Sequence, residues 1–176
     1  HGRSLPWRSH PLKQKACPYM TATNAALERA EAFCEAYDLR VPILMAPMAG
    51  ACPPALAIAV GKAGGMGACG TLLMQPDGIG KWVGEVRQGT NGAFQLNFWV
   101  PDPEPHRDPE HEAAVRAFLS GWGPDVPADA GDATMPDFET QCDAMIAAGP
   151  PVISSIMGVY PEHIVARIKA ANIKWF

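Results

Sequence analysis

No acidic residue occurs in the first twenty positions, and no charge of either sign occurs between Val41 and Gly61. The five cysteines, Cys17, Cys34, Cys52, Cys69 and Cys142, form no Cys-x-x-Cys pair, and the chain has neither a serine nucleophile elbow nor a P-loop. Each absence excludes something. An odd number of unpaired cysteines argues against a disulfide framework and for reduced thiols in a cytoplasmic setting, with Cys52 and Cys69 as small buried residues. Residues 1–20 carry Arg3, Arg8, Lys13 and Lys15 but lack the apolar stretch of a secretory signal, so they read as a basic leader, either disordered or appended. The uncharged run is long enough to cross a bilayer. Pro42, Pro47, Pro53 and Pro54 remove backbone donors from it, however, so strand, turn and short helix fit better than a membrane span.

The formal charge of −4 is unevenly placed: residues 101–143 hold eleven acids against Arg107 and Arg116. Such a body has no electrostatic footprint for nucleic acid. The 176 residues can bury a core, as one modest domain or as part of a larger one. The chain starts at His1 and stops in the strand-like Ile173–Phe176, so a fragment is expected.

What is present is an alternation of strand-like and helix-like segments. Thr23–Tyr37 predicts an amphipathic helix with Leu27, Ala30, Phe33 and Cys34 on one stripe. Strands are predicted at Pro42–Met45, Met66–Thr71, Ala93–Val100, Pro151–Ile156 and from Ile173 onward; helices are predicted at Pro54–Ala63, Pro76–Arg87 and Pro161–Ala171. In the third strand Phe94, Leu96 and Phe98 alternate with Gln95, Asn97 and Trp99, so one face needs polar atoms. Residues 101–150 interrupt the spacing as a long, acidic, proline-rich insertion with short helices near 109–119 and 136–148. Serial βα units imply α/β architecture with a parallel sheet, either doubly wound or closed into a barrel.

Gly65-Met66-Gly67-Ala68-Cys69-Gly70 matches G-x-G-x-x-G, but its glycines follow a helix and open a strand, the reverse of a dinucleotide fingerprint. Close helix-to-strand packing explains them better. His106, Glu110 and His111 fit no zinc-helix spacing, and His163 stands near a helix start, so no metal is expected. The strand ends are more telling. Ala46-Pro47-Met48, Gly70-Thr71, Asn97 and Ser154-Ser155 all fall at the carboxyl ends of consecutive strands, where such sheets hold ligands. Small and amide-bearing residues there suit a planar cofactor that takes hydrogen bonds from backbone and from one amide.

PILMAPMAG, KAGGMGACG, FQLNFWVP and PPVISSIMG, in this order from Leu39 to Phe176 around the acidic insertion, resemble the nitronate monooxygenase family, formerly the 2-nitropropane dioxygenases. The resemblance implies an FMN-dependent TIM (β/α)8 barrel, present here as about its first four to five βα units within residues 21–176. It implies an oxidoreductase that converts alkyl nitronates and dioxygen to a carbonyl compound and nitrite. By position it implies that Ala46, Pro47 and Met48 contact the flavin ring, that Asn97 hydrogen-bonds it, and that Thr71 and Ser154 line the site. It further implies that the catalytic histidine and the phosphate-binding loops lie past Phe176. None of His1, His10, His106, His111 or His163 matches that position, so no base is assigned and the chain alone is expected to be inactive. The expected partners are a small nitronate and dioxygen, with no nucleic acid and no membrane; a homo-oligomer stays open. Flavin-type enoyl-acyl-carrier-protein reductases share the barrel and are the nearest alternative. Dihydrouridine synthases fit less well, because they place an acidic residue and an arginine where this chain has Ala51-Cys52-Pro53-Pro54. A non-catalytic half barrel that pairs with another chain is the alternative of another class.

Overall fold

The computed structural model describes residues 25–103, 106–132 and 136–176. The basic leader and the expected helix start at Thr23 lie outside these residues. Among the described residues six α-helices and four strands follow one another as α1 (Ala25–Tyr37), α2 (Pro54–Lys62), β1 (Gly67–Gly70), α3 (Pro76–Gly89), β2 (Phe94–Trp99), α4 (Pro109–Leu119), α5 (Phe138–Ala148), β3 (Val152–Ile156), α6 (Glu162–Ala170) and β4 (Lys174–Trp175). All strand pairs are parallel, and the sheet order β1-β2-β3-β4 is the chain order. A doubly wound sheet would reverse direction at a switch point. This one does not, which is the progression of a barrel wall.

Local chemistry sets the helix ends. Proline opens α2, α3 and α4 at the first turn, where its missing N–H is not needed. Asp108 caps α4 by accepting from the Glu110 and His111 amides, and Asp137 caps α5 by accepting from the Thr140 amide at 2.8 Å. Gly149 ends α5 in the left-handed conformation, at φ 62°.

The register divides the residues of the sheet between two faces. Cys69, Phe94, Leu96, Phe98 and Ile153 turn outward and form the main core with Ile79, Trp82, Val83 and Val86 of α3, Cys142 and Met145 of α5, and Ile164 and Ile168 of α6. The opposite, inner face carries Ala68, Gly70, Gln95, Asn97, Val152 and Ser154. At its amino-terminal end Phe33, Cys34 and Tyr37 of α1 pack on Leu39, Met66 and Val152, while Leu27 of the same predicted stripe stays exposed. One buried side therefore faces helices, and the other faces the barrel interior.

Two expectations change. The first predicted strand, Pro42–Met45, is not a regular strand: Leu44 makes an isolated parallel bridge to Met66, just before β1, and a second isolated bridge joins Ala49, past the predicted strand, to Gly70 of β1. Met45 N–H donates to Met66 O and Met66 N–H to Ile43 O, both at 2.9 Å, but Pro47 has no N–H with which to continue the ladder. The second correction concerns the insertion predicted over 101–150. Its last part, α5, buries Cys142 and Met145 in the main core, buries Gln141 as well, and is the crossover helix between β2 and β3. Among the described residues before Asp137, the insertion forms α4 and a short 3-10 turn at Ala130–Asp132.

Candidate functional site

Ala49, Gly70, Asn97 and Ser154 form one row across four neighbouring parallel segments: Ala49 bridges Gly70, Gly70 is in register with Asn97, and Asn97 with Ser154. The row lies at the carboxyl-terminal rim of the inner face. Gly70 permits the close approach of the first segment, because a Cβ there would stand 2.7 Å from Ala49 N and 3.0 Å from the Met48 carbonyl carbon. Gly67, one turn of the motif earlier, lets β1 sit on Ala57 of α2 in the same way. The glycine motif is thus a packing device on both sides.

The turn that follows the first segment is held from two directions. Met48 N–H donates to Cys52 Sγ at 3.1 Å, and the Trp82 indole of α3 donates to the Cys52 carbonyl at 2.8 Å. Above the row opens a cavity of about 230 Å³, lined by Pro47, Ala49, Gly70, Leu72, Asn97, Trp99 and Ile156. No charged side chain is among them. Trp99 is 40% exposed, Ile156 51% and Met48 43%, so the rim offers apolar surface around one amide.

Beneath the cavity the polar residues of the inner face are joined. Asn97 Nδ2 donates to Ser154 Oγ at 2.9 Å, Ser154 Oγ to Gln95 Oε1 at 2.7 Å, and Gln95 Nε2 to the Met45 carbonyl at 3.5 Å. Tyr160 O–H also donates to the Ser154 carbonyl, at 3.1 Å. Burial raises the Tyr160 pKa, so the phenol keeps its donor proton.

Of the residues expected at the site, Pro47 and Asn97 line the cavity, with Ala46 and Met48 in the same turn, and Ser154 stands one hydrogen bond below. Thr71 stands apart. It is fully buried on the helix side, where its hydroxyl donates to the Asn97 carbonyl at 2.9 Å and lies 3.3 Å from Met145 Sδ. The loop after β1 is instead fixed by Gln141 of α5, whose Nε2 donates to the carbonyls of Thr71, Leu72 and Met74 at 3.2, 3.4 and 2.6 Å. Sequence reasoning missed Gln141, Trp99 and Ile156. The strand period signals the last two, since they follow Asn97 and Ser154 on the same face.

The remaining candidates lie elsewhere. His163 pairs with Glu139 at 2.9 Å across exposed surface, joining α6 to α5. His106 and His111 line a cleft within the insertion, beside Arg107, which pairs with Glu112 and with Asp132. No cluster able to hold a metal ion exists among the described residues. Desolvation pushes the Cys69 and Cys142 thiols up to about 12, which leaves them protonated and inert near neutrality.

Consecutive parallel strands, helices on one face and a ligand-sized rim at the strand ends define a segment of a (β/α) barrel. Residues 31–175 match the sequence profile of the nitronate monooxygenase family, and the chain belongs to that family. It is 32% identical to nitronate monooxygenase of Paraburkholderia phytofirmans, over 76% of this chain and 38% of the relative. It is 27% identical to a probable nitronate monooxygenase of Staphylococcus aureus, over 78% and 39%. Its structure is similar to that of nitroalkane oxidase from Streptomyces ansochromogenes, with a TM-score of 0.63 and 28% identity over 82% of this chain and 41% of the other. FabK from Thermotoga maritima superposes with a TM-score of 0.57 and 25% identity over 82% and 35%. The chain spans about two fifths of the length of the curated relatives it matches. It is therefore a partial barrel, and no helix among its described residues is long and apolar enough to cross a membrane.

Proposed function

We propose that this chain supplies the flavin-ring rim of an FMN-dependent nitronate monooxygenase that converts an alkyl nitronate and dioxygen to a carbonyl compound and nitrite. The observation that carries the reading is the Ala49–Gly70–Asn97–Ser154 row beneath an uncharged, apolar-walled cavity. A planar ring with one polar edge fits that lining; a phosphate does not, because no cation faces it. When bound, FMN supplies the electron acceptor and the centre that reacts with dioxygen.

The chain's own residues do the holding. Ala46, Pro47 and Met48 would hold the ring from the turn and Asn97 through its amide, with Ser154 holding Asn97. Trp99, Ile156 and Met48 would exclude water from the bound ring. Thr71 contributes through the Asn97 carbonyl it binds. No described histidine lines the cavity, and the 176-residue chain alone is expected not to turn over. The free thiols Cys34, Cys52, Cys69 and Cys142 suit a reducing cytoplasm.

Oxygen uptake and nitrite release from propyl-2-nitronate test the reading. A polypeptide of the relatives' length that contains this sequence is expected to be active with FMN, and the 176-residue chain is not. Turnover by the 176-residue chain alone contradicts that expectation. The FabK likeness supports the second reading, a flavin-type enoyl-acyl-carrier-protein reductase. Consumption of a reduced nicotinamide with an enoyl thioester, and no nitrite, would favour it.

A further inference from the structure

The hydrogen-bond chain under the cavity has a direction, and a backbone atom sets it. The Met45 carbonyl can only accept, and Gln95 turns Nε2 toward it, at 3.5 Å. That leaves Gln95 Oε1 facing Ser154 Oγ at 2.7 Å, and a carbonyl oxygen there demands the serine proton. Ser154 then offers only lone pairs to Asn97, so Asn97 must present Nδ2, at 2.9 Å. Reversing any member would put two acceptors face to face in a buried setting, where Gln95 is 3% and Ser154 4% exposed. The Tyr160 bond to the Ser154 carbonyl keeps the serine from drifting along its strand.

The consequence falls on Asn97 Oδ1. It is the far end of the network, on a residue that lines the cavity. We infer that Gln95 and Ser154 are positioning residues that lock the Asn97 amide with its carbonyl oxygen toward the cavity, so that the rim selects a ring edge donating an N–H. The ligand half of this inference rests on the flavin reading above. An oxidised isoalloxazine has one such edge, its imide N–H.

Two measurements on the 15N-labelled 176-residue chain separate the halves. In the first, hydrogen exchange of the side-chain amides is followed by NMR without ligand. The Asn97 amide is expected to exchange about tenfold or more slowly than that of the exposed Asn91. Ser154→Ala and Gln95→Leu should abolish most of that protection with the backbone spectrum retained, while Ser154→Thr, which keeps the hydroxyl, should preserve it. Unchanged protection in the alanine and leucine variants overturns the inference, as does a threonine variant that behaves like alanine. In the second, riboflavin and 3-methylriboflavin are titrated into the same proteins. The wild type is expected to prefer the unmethylated ring about tenfold, and Ser154→Ala to lose the preference. An ordered amide with no preference leaves the positioning role standing and removes the flavin from this rim.

Discussion

The Trp82 indole donates its Nε1 proton to the Cys52 carbonyl at 2.8 Å, and this bond fastens α3 to the turn that carries Met48. The ring is 5% exposed and meets Phe94 edge-on with centroids 5.8 Å apart, so packing and hydrogen bond act together. Trp82→Phe keeps an aromatic ring but removes the donor and some volume. The expected loss is about 1–3 kcal/mol in urea unfolding, with faster amide exchange at Met48.

Gly70 and Gly84 should respond in opposite directions to the same change. A methyl at Gly70 meets the Ala49 nitrogen at 2.7 Å, backbone that cannot step aside, so Gly70→Ala is expected to cost about 1–3 kcal/mol and to displace the first segment from the row. A methyl at Gly84, inside α3, meets nothing within 4 Å. Gly84→Ala should stabilise by up to about 1 kcal/mol, and thermal melts of both variants check the pair.

Thiol chemistry should follow burial. Cys69 and Cys142, each pushed to about 12 by desolvation, stay protonated in the folded chain while the unfolded chain ionises near its ordinary value of 9.0. A raised folded value leaves stability intact below pH 9 and erodes it as pH climbs from there toward 12. Denaturation midpoints measured across that window should fall with rising pH. At pH 8 a thiol reagent should label the half-buried Cys34 well before either of them.

Gln141 holds three carbonyls of the loop after β1 from a position that is 1% exposed. Gln141→Met fills similar space without the donors. It is expected to destabilise by about 1–3 kcal/mol, and to loosen Leu72 at the cavity edge. Urea unfolding and backbone exchange at Leu72–Met74 read the two effects.

Much of this architecture is legible in the residues. The alternation of Phe94, Leu96 and Phe98 with Gln95 and Asn97 assigns one face to the core and the other to the hydrogen-bonded network, and the structure has that division. The glycine cluster reads as close helix-to-strand packing, which Gly67 makes against Ala57 of α2, whereas Gly70 packs against the turn at Met48 and Ala49. Three features escape a local reading. Prolines on either side of Ile43–Ala46 shorten the expected first strand to isolated bridges, a loss that depends on which donors the neighbour needs. The prolines and acids around it mask α5 as part of an insertion, whereas tertiary packing makes it a crossover helix. Gln141 finds its acceptors 67 to 70 residues earlier in the chain, a distance at which sequence pattern carries no signal. Thr71 shows a finer form of the same limit. A strand end is visible in sequence, but which face its last residue takes depends on the register of its partner.

On the function proposed above, the strand ends hold a flavin ring between the Met48 turn and Asn97. Riboflavin titrated into the 15N-labelled chain, with backbone and side-chain amide shifts mapped residue by residue, tests it most directly. The expected result is saturable shifts centred on Met48, Ala49, Gly70, Asn97 and the Trp99 indole. Shifts centred instead on the cleft at the opposite end of the sheet, around Arg87, Asn91 and Asn172, or confined to the insertion around His106 and Arg116, would contradict it.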